Sequence, residues 1–236
     1  MTEQDELIQE LNETHSKIEE GHRLASKSLG KDYNEAQYKK DKALSDDAYP
    51  DNAHFIYEII QNAEDSTYLK NKKAELEFIL LKNGVLVLSN QDGFNDDNVR
   101  SICVMASGGK IANKDQFIGE KGLGFRSVFK ITRTPCISSN GYKFYFDKEK
   151  SYQKPFLLND YKGSLPDEFT QYPNTAIFLP YAINNDEITE LENDFLCKIK
   201  PKLILFLKKL NAISISHNSQ KRMLIERENS KSENFE

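Results

Sequence analysis

Two stretches of the chain gather residue types suited to phosphate chemistry. In "HFIYEIIQNAEDSTY" (54–68), Glu58, Asn62 and Asp65 lie four and three residues apart. A helix at 3.6 residues per turn sets them in one row. Ile56, Ile59, Ile60 and Ala63 fall on the adjoining face and would bury. The row therefore runs along the edge of an apolar stripe, where the core meets something else. Asn62 could give magnesium one hard oxygen ligand, an ion that keeps several of its waters. Glu58, one turn away, could take a proton from a water aimed at a γ-phosphate. A solvated helix rim with a chance Asn is the plainer reading of the same row.

The second stretch is "IGEKGLGFRSVF" (118–129), which holds three of the chain's 11 glycines, Gly119, Gly122 and Gly124. Glycine lets another molecule approach the main chain closely. The residues that follow, Phe125 to Ile131, read as a helix. A glycine loop that opens a helix offers free N–H groups and the positive end of the helix dipole, a setting for phosphate. A tight loop with no ligand would have the same composition. Taken together, a carboxylate, an amide oxygen and a phosphate-suited loop are the parts needed for a nucleotide with magnesium. No GK[ST] follows the glycines, which excludes the Walker loop, and the order GxxGxG fits the dinucleotide fingerprint poorly. Protein-kinase signatures are missing.

These residues need elements to hold them. Residues 3–29 read as a helix with a thin apolar stripe, Leu7, Leu11, Ile18 and Ala25, suited to a domain edge or a partner. Residues 53–69 form the clearest amphipathic helix. "AELEFILL" (74–81) and "VLVLSN" (85–90) are strands about the turn "KNG". Residues 95–105 read as a capped helix and 106–116 as a polar glycine-containing loop. "PCISS" and "YKFYFD" are strands about "NG"; 148–173 are irregular; "TAIFLPY" (175–181) is a buried-type strand. Residues 186–209 are helical with a break at Pro201, and "AISISH" and "RMLIER" make a last hairpin before a disordered tail. This order predicts an α+β fold, a mixed sheet with helices on one face. The expected division is a helical extension (1–40), the main domain (41–217) and a terminal strand with the tail (218–236).

Composition narrows the partners. The 236 residues are 38% apolar, enough for a sizeable core, and carry a net charge of −5 with Lys and Arg scattered among acids. A nucleic-acid binder would show a basic stripe, so nucleic acid is an unlikely partner. No apolar run approaches the ~20 residues of a membrane span, and the acidic start "MTEQDELIQE" has no signal-peptide pattern. Cys103, Cys136 and Cys197 lie far apart and make neither a metal spacing nor a disulfide framework. An intracellular protein is expected.

Three stretches in order, "HFIYEIIQNAED", "LSNQDGFNDDNVRSIC" and "IGEKGLGFRSVF", resemble the GHKL ATPases: gyrase, the ninety-kilodalton heat-shock chaperones, histidine kinases and mismatch-repair ATPases. Within them the chain is most similar to the branch containing sacsin and the plant No Vein proteins, over roughly residues 40–182. The resemblance implies a two-layer α/β sandwich of the Bergerat type, with a mixed, mostly antiparallel sheet and ATP held between the sheet and a lid. It implies Glu58 as the water-activating base, Asn62 as the magnesium ligand, and Asp65 near the base of the pocket. Gly119, Gly122 and Gly124, with Lys121, Leu123 and Phe125 among and after them, match the phosphate loop. Residues 106–118 take the lid position, from which Ser107 and Lys110 could close on the γ-phosphate. The family's adenine-reading Asp is matched by Asn90, followed by "QDGF" in place of DxGxG, so either Asn90 or Asp92 would touch adenine. Thr175 matches the late strand Thr that supports the adenine end.

The expected activity is slow, magnesium-dependent ATP hydrolysis by a conformational switch or chaperone-like part of a larger assembly. The alternative is a nucleotide-sensing interaction module with little turnover. A mismatch-repair type would bind DNA, against the charge; a histidine kinase would need His15 or His22 as phospho-acceptor, with no supporting catalytic sequence. Slow turnover is expected because no cation from a following domain reaches the γ-phosphate. Lys110, Lys121 and Arg126 lie near enough in sequence to substitute, although Arg126, on the helix after the loop, could equally make a plain surface contact. A further domain, a protein partner or a homodimer through the 3–29 helix could raise the rate.

Overall fold

The computed structural model describes residues 1–29, 35, 53–103, 124–217 and 220–227. At its centre is an eight-stranded mixed sheet in the order β5-β4-β3-β6-β2-β1-β7-β8. The strands are β1 (Ala74–Leu81), β2 (Gly84–Ser89), β3 (Cys136–Ser139), β4 (Tyr142–Asp147), β5 (Ser151–Leu157), β6 (Thr175–Pro180), β7 (Leu210–His217) and β8 (Gln220–Glu226). Neighbours pair antiparallel except β1 with β7, which run parallel. The α-helices are α1 (Glu3–Leu29), α2 (His54–Asp65), α3 (Asp96–Cys103), α4 (Asp167–Gln171) and α5 (Asn185–Lys198). Among the described residues no helix is long and apolar enough to cross a membrane. An α+β fold with a mixed sheet is what the element order predicted.

Strand alternation sorts the sheet's side chains into two apolar groups. Leu76, Phe78 and Leu80 of β1, Val85 and Val87 of β2, and Ile177 and Leu179 of β6 join the buried faces of α1, α2 and α5 in the larger group. Phe195 of α5 closes that layer, its ring 5.9 Å from Phe55 and 5.2 Å from Phe78. On the opposite face Ile79, Leu86, Leu88, Ala176 and Phe178 pack with Phe169 of α4 and with Leu158, Tyr161 and Tyr172. The expectation of helices on one face therefore needs correcting: the long helices share one face, and the short α4 covers part of the other. The six residues of β2 are all buried because this strand is covered on both sides.

Gly84 begins β2 between Leu81 and Pro180. A Cβ there would lie 2.6 Å from the Leu179 carbonyl oxygen, so the strand starts one residue earlier than the apolar pattern suggested and needs glycine to do so. The segment expected to be irregular, 148–173, contains β5 and α4. Its strand is masked in sequence by Pro155, which a sheet tolerates at an edge. The fold closes that edge with α1: Asn12 Nδ2 donates to the Pro155 carbonyl at 2.7 Å, and Lys154 Nζ lies 3.1 Å from Glu19. The helix expected after the glycine loop is a 3-10 helix, Gly124–Lys130. The 186–209 helix ends at Lys198; Pro201 opens a separate 3-10 turn, Pro201–Leu205. Asn184 and Glu187 form a capping box at the start of α5.

α1 is built into the domain. Leu7, Ile8 and Leu11 are buried in the main core, whereas Ile18 is 49% exposed. His15 Nε2–H donates to the Cys103 carbonyl at 2.9 Å, tying α1 to the end of α3. Burial pushes the His15 imidazole below its ordinary range, with Lys154 and Arg126 acting in the same direction and Glu19 against it. Cys103 and Cys136 are buried and Cys197 is exposed. Tyr142 donates its hydroxyl proton to Asp96, a second link from sheet to α3.

Two outcomes follow from this packing. Ile8→Ala should lower unfolding stability by about 2–5 kcal/mol, as for other buried aliphatics, measured by urea denaturation; a change within about 0.5 kcal/mol, typical of surface sites, would show α1 to be dispensable. His15, depressed when folded, binds fewer protons in the native than in the unfolded chain. Its contribution is full above the unfolded value and is lost as pH falls through it. Melting temperature should thus drop more between pH 7.5 and 5.5 for the wild type than for His15→Gln, and equal drops would remove His15 from the acid response.

Candidate functional site

The site is organised by α2. Phe55, Ile56, Ile59, Ile60 and Ala63 are buried along one side, which leaves Glu58, Asn62 and Asp65 on the adjoining side, all three lining a cleft of about 430 Å³. Both ends of the helix are held. At the C-terminal end, the Glu64 carboxylate accepts from the backbone N–H groups of Lys208 (2.5 Å), Lys209 (2.8 Å) and Leu210 (2.9 Å). Lys209 Nζ donates to the carbonyls of Asp65 (3.1 Å) and Ser66 (2.8 Å), a cation at the negative end of the helix dipole. At the N-terminal end Gly124 sits against Glu58. A Cβ on Gly124 would lie 1.9 Å from Glu58 Oε2, so a side chain here would push the carboxylate from its present position.

The floor of the cleft comes from three neighbouring strands. Leu76, Val87 and Ile177 supply apolar surface, with Val87 directly opposite Ile177. Two residues along, Ser89 faces Thr175, and both line the cleft with Gln91. Gln91 is 5% exposed. Its Nε2 donates to Thr175 Oγ1 at 2.9 Å, and Thr175 Oγ1 lies 2.6 Å from Ser139 Oγ. The walls include Phe94, Asn98 and Ile102 on one side and Gly124 and Phe125 on the other. Residues on both flanks of 104–123 thus border the same space. The cleft offers a polar floor group, apolar surface, and a carboxylate with an amide, the makings of a site for a ligand part flat and apolar, part anionic or metal-bound.

Of the residues singled out from sequence, Glu58, Asn62, Asp65, Gly124, Phe125 and Thr175 line this cleft. Lys110, Gly119, Lys121, Gly122 and Leu123 lie outside the described residues. Asn90 and Asp92 are absent from the lining. Asn90 braces the start of β1: its Oδ1 accepts from Glu75 N at 2.9 Å and its Nδ2 donates to the Lys73 carbonyl at 2.7 Å. Asp92 is exposed, and its N–H donates to the Thr67 carbonyl at 2.9 Å. The residue between them, Gln91, is the one in the cleft. Sequence reasoning missed it, although the signal was present: with a period of two, Val87, Ser89 and Gln91 share a face and Asn90 takes the other. Arg126, weighed both as a substitute cation and as a surface contact, is 2% exposed and does not line the cleft; its charge bears on His15 and Cys103. Among the described residues no group of three His, Cys, Asp or Glu is placed to hold a metal.

Comparison with known proteins places this architecture. The family model described as "Sacsin domain" matches residues 44–176, a span that takes in α2, the β1–β2 hairpin, α3 and Thr175. Over 186 residues the chain is 32% identical to Protein NO VEIN of Arabidopsis thaliana, covering 73% of this chain and 7% of that protein. Over 123 residues it is 30% identical to Sacsin of Homo sapiens, covering 44% of this chain and 3% of that protein. The chain therefore spans a small part of each of these relatives' length. With the matched segment extending over more than half its residues, the chain belongs to the sacsin-domain family.

Proposed function

We propose that the chain is a nucleotide-binding module of the GHKL type that binds ATP with magnesium, hydrolyses it slowly, and serves as a conformational switch or chaperone-like part of a larger assembly. The observation that carries this reading is the row Glu58, Asn62 and Asp65, which lines one cleft together with the Gln91–Thr175 pair and Gly124. The cleft's volume, about 430 Å³, is within the range of small-molecule sites. Leu76, Val87 and Ile177 suit a base ring; Gln91 and Thr175 suit its hydrogen-bonding edge.

The donor set fits magnesium in one respect. With no cluster of three acidic or imidazole ligands among the described residues, the ion would be held by Asn62 together with phosphate oxygens and water, the manner usual for nucleotide-bound magnesium. When bound, it would neutralise phosphate charge. Glu58 is the proton acceptor for a water attacking the γ-phosphate, and Gly124 leaves its carboxylate the room to stand there. Gly119, Gly122 and Gly124 give the phosphates backbone N–H groups, with Lys121, Leu123 and Phe125 as the rest of that loop. Lys110 is the cation that closes on the γ-phosphate. The switch role rests on the placement of Ser101, Ile102, Gly124 and Phe125, which border the cleft on either side of 104–123.

ATP with magnesium should stabilise the chain against heat. A ligand at a hundredfold its dissociation constant contributes about 2.7 kcal/mol, roughly 5–10 °C for a chain of this size. No shift at millimolar nucleotide would sink the binding claim. Glu58→Ala should leave affinity nearly unchanged and lower phosphate release by about 10²–10⁴-fold. Gly124→Ala should lower turnover in the same way by displacing Glu58. If Glu58→Ala hydrolyses ATP at the wild-type rate, the proton acceptor is another group; if Gly124→Ala does, the Glu58 carboxylate accommodates the added methyl and Gly124 has no part in placing it.

A further inference from the structure

The reader at the cleft floor is an amide held by hydroxyls, and this has a chemical consequence. Gln91 Nε2 donates to Thr175 Oγ1 at 2.9 Å, and Ser139 Oγ lies 2.6 Å from the same Thr175 oxygen. The backbone N–H of Phe94 donates to Ser139 Oγ at 2.9 Å. Asn174 Nδ2 donates to the Gln91 backbone carbonyl at 3.1 Å, which fixes the main chain beneath the amide. A hydroxyl has one proton to give and two lone pairs to receive. The chain from Phe94 to Gln91 can therefore run in two directions.

In the first, Gln91 donates to Thr175, and Thr175 donates to Ser139, which also receives the Phe94 N–H. In the second, the Gln91 amide has made a half-turn about its last bond. Thr175 now donates to Gln91 Oε1, Ser139 donates to Thr175, and Ser139 still receives the Phe94 N–H. Both keep all three hydrogen bonds of the chain, and no heavy atom other than the amide pair changes place; the first leaves the Ser139 hydroxyl proton, and the second the amide NH₂, outside the chain. The first arrangement leaves the amide oxygen for the cleft; the second leaves the amide NH₂. An oxygen accepts from a 6-amino group on a purine, and an NH₂ donates to a 6-oxo group. A carboxylate at this position could only accept.

Resting on the nucleotide-binding reading above, we infer that Gln91 makes the cleft tolerant at the purine 6-position, so that 6-amino and 6-oxo nucleoside triphosphates bind with similar affinity. The Thr175–Ser139 hydroxyl pair is the device that permits it, because its protons can run in either direction.

The test uses ATP and ITP, which place an amino and an oxo group at the 6-position without the additional 2-amino group of GTP. Dissociation constants are measured by calorimetry on the full chain at one magnesium concentration. The wild type should bind the two within about tenfold of each other. Gln91→Glu should weaken ITP more than ATP, widening the ratio by at least about tenfold, the worth of roughly one charge-assisted hydrogen bond. ATP binding with ITP weaker by more than tenfold in the wild type overturns the tolerance and leaves the nucleotide reading standing. A ratio unchanged by Gln91→Glu overturns the assignment to Gln91. Failure of the wild type to bind either nucleotide overturns the nucleotide reading itself.

Discussion

The arrangement depends on how one helix is pressed onto the sheet. α2 buries five apolar side chains against the core, and that burial fixes which of its polar residues face the cleft. Rotation of the helix by one position, 100°, would bury Glu58 or expose Ile59. A contact near its C-terminal end resists sliding as well as rotation: Glu64 sits in a cradle of three successive N–H groups at 208–210. It is a carboxylate accepting charge-assisted hydrogen bonds from backbone that leads into β7. Side chains that must stand in defined places are held by such supporting contacts more than by their own rotamers.

The sheet takes part in the site through one of its faces only. Leu76, Val87, Ser89, Thr175 and Ile177 belong to the helix-facing side, and the opposite side, packed by Phe169 and the aromatic residues around it, gives the floor its stiffness. Interiors packed on both sides transmit displacement poorly absorbed by loose contacts. The cleft thus has a rigid floor and a rigid helical wall, while its remaining border is formed by the segments on either side of 104–123.

Much of this was readable from sequence where the signal is local. The α2 row needs only 3.6-residue periodicity, and the β1–β2 and β3–β4 hairpins need only alternation and the turn residues between them; Asn140 and Gly141 take the positive φ values, 48° and 87°, such a turn requires. What escaped was non-local. Pro155 argues against a strand until one sees that β5 is an edge and that Asn12, 143 positions away in the chain, takes its carbonyl. Arg126 follows the glycine loop and reads as exposed, yet tertiary packing buries it. Asn90 drew attention as the polar residue at the strand end, but its side chain satisfies the backbone of residues 73 and 75; the face of the strand, set by parity, hands the cleft to Gln91.

The parallel pairing of β1 with β7 matters before the protein is complete. β1 is synthesised before its partner on that side, Leu210–His217, which leaves the ribosome well over a hundred residues later, a delay on the order of ten seconds at ~5–20 residues per second. Throughout that interval the hairpin "AELEFILL"–"GVLVLS" has an open flank of unpaired backbone and strong strand propensity, the kind of edge that recruits other chains. Glu64 waits for the same arrival, since its three backbone donors immediately precede or begin β7. The Glu64 cradle and the β1–β7 pairing are therefore completed in one late event, and a nascent chain halted before residue 208 would carry the α2 row without that cradle.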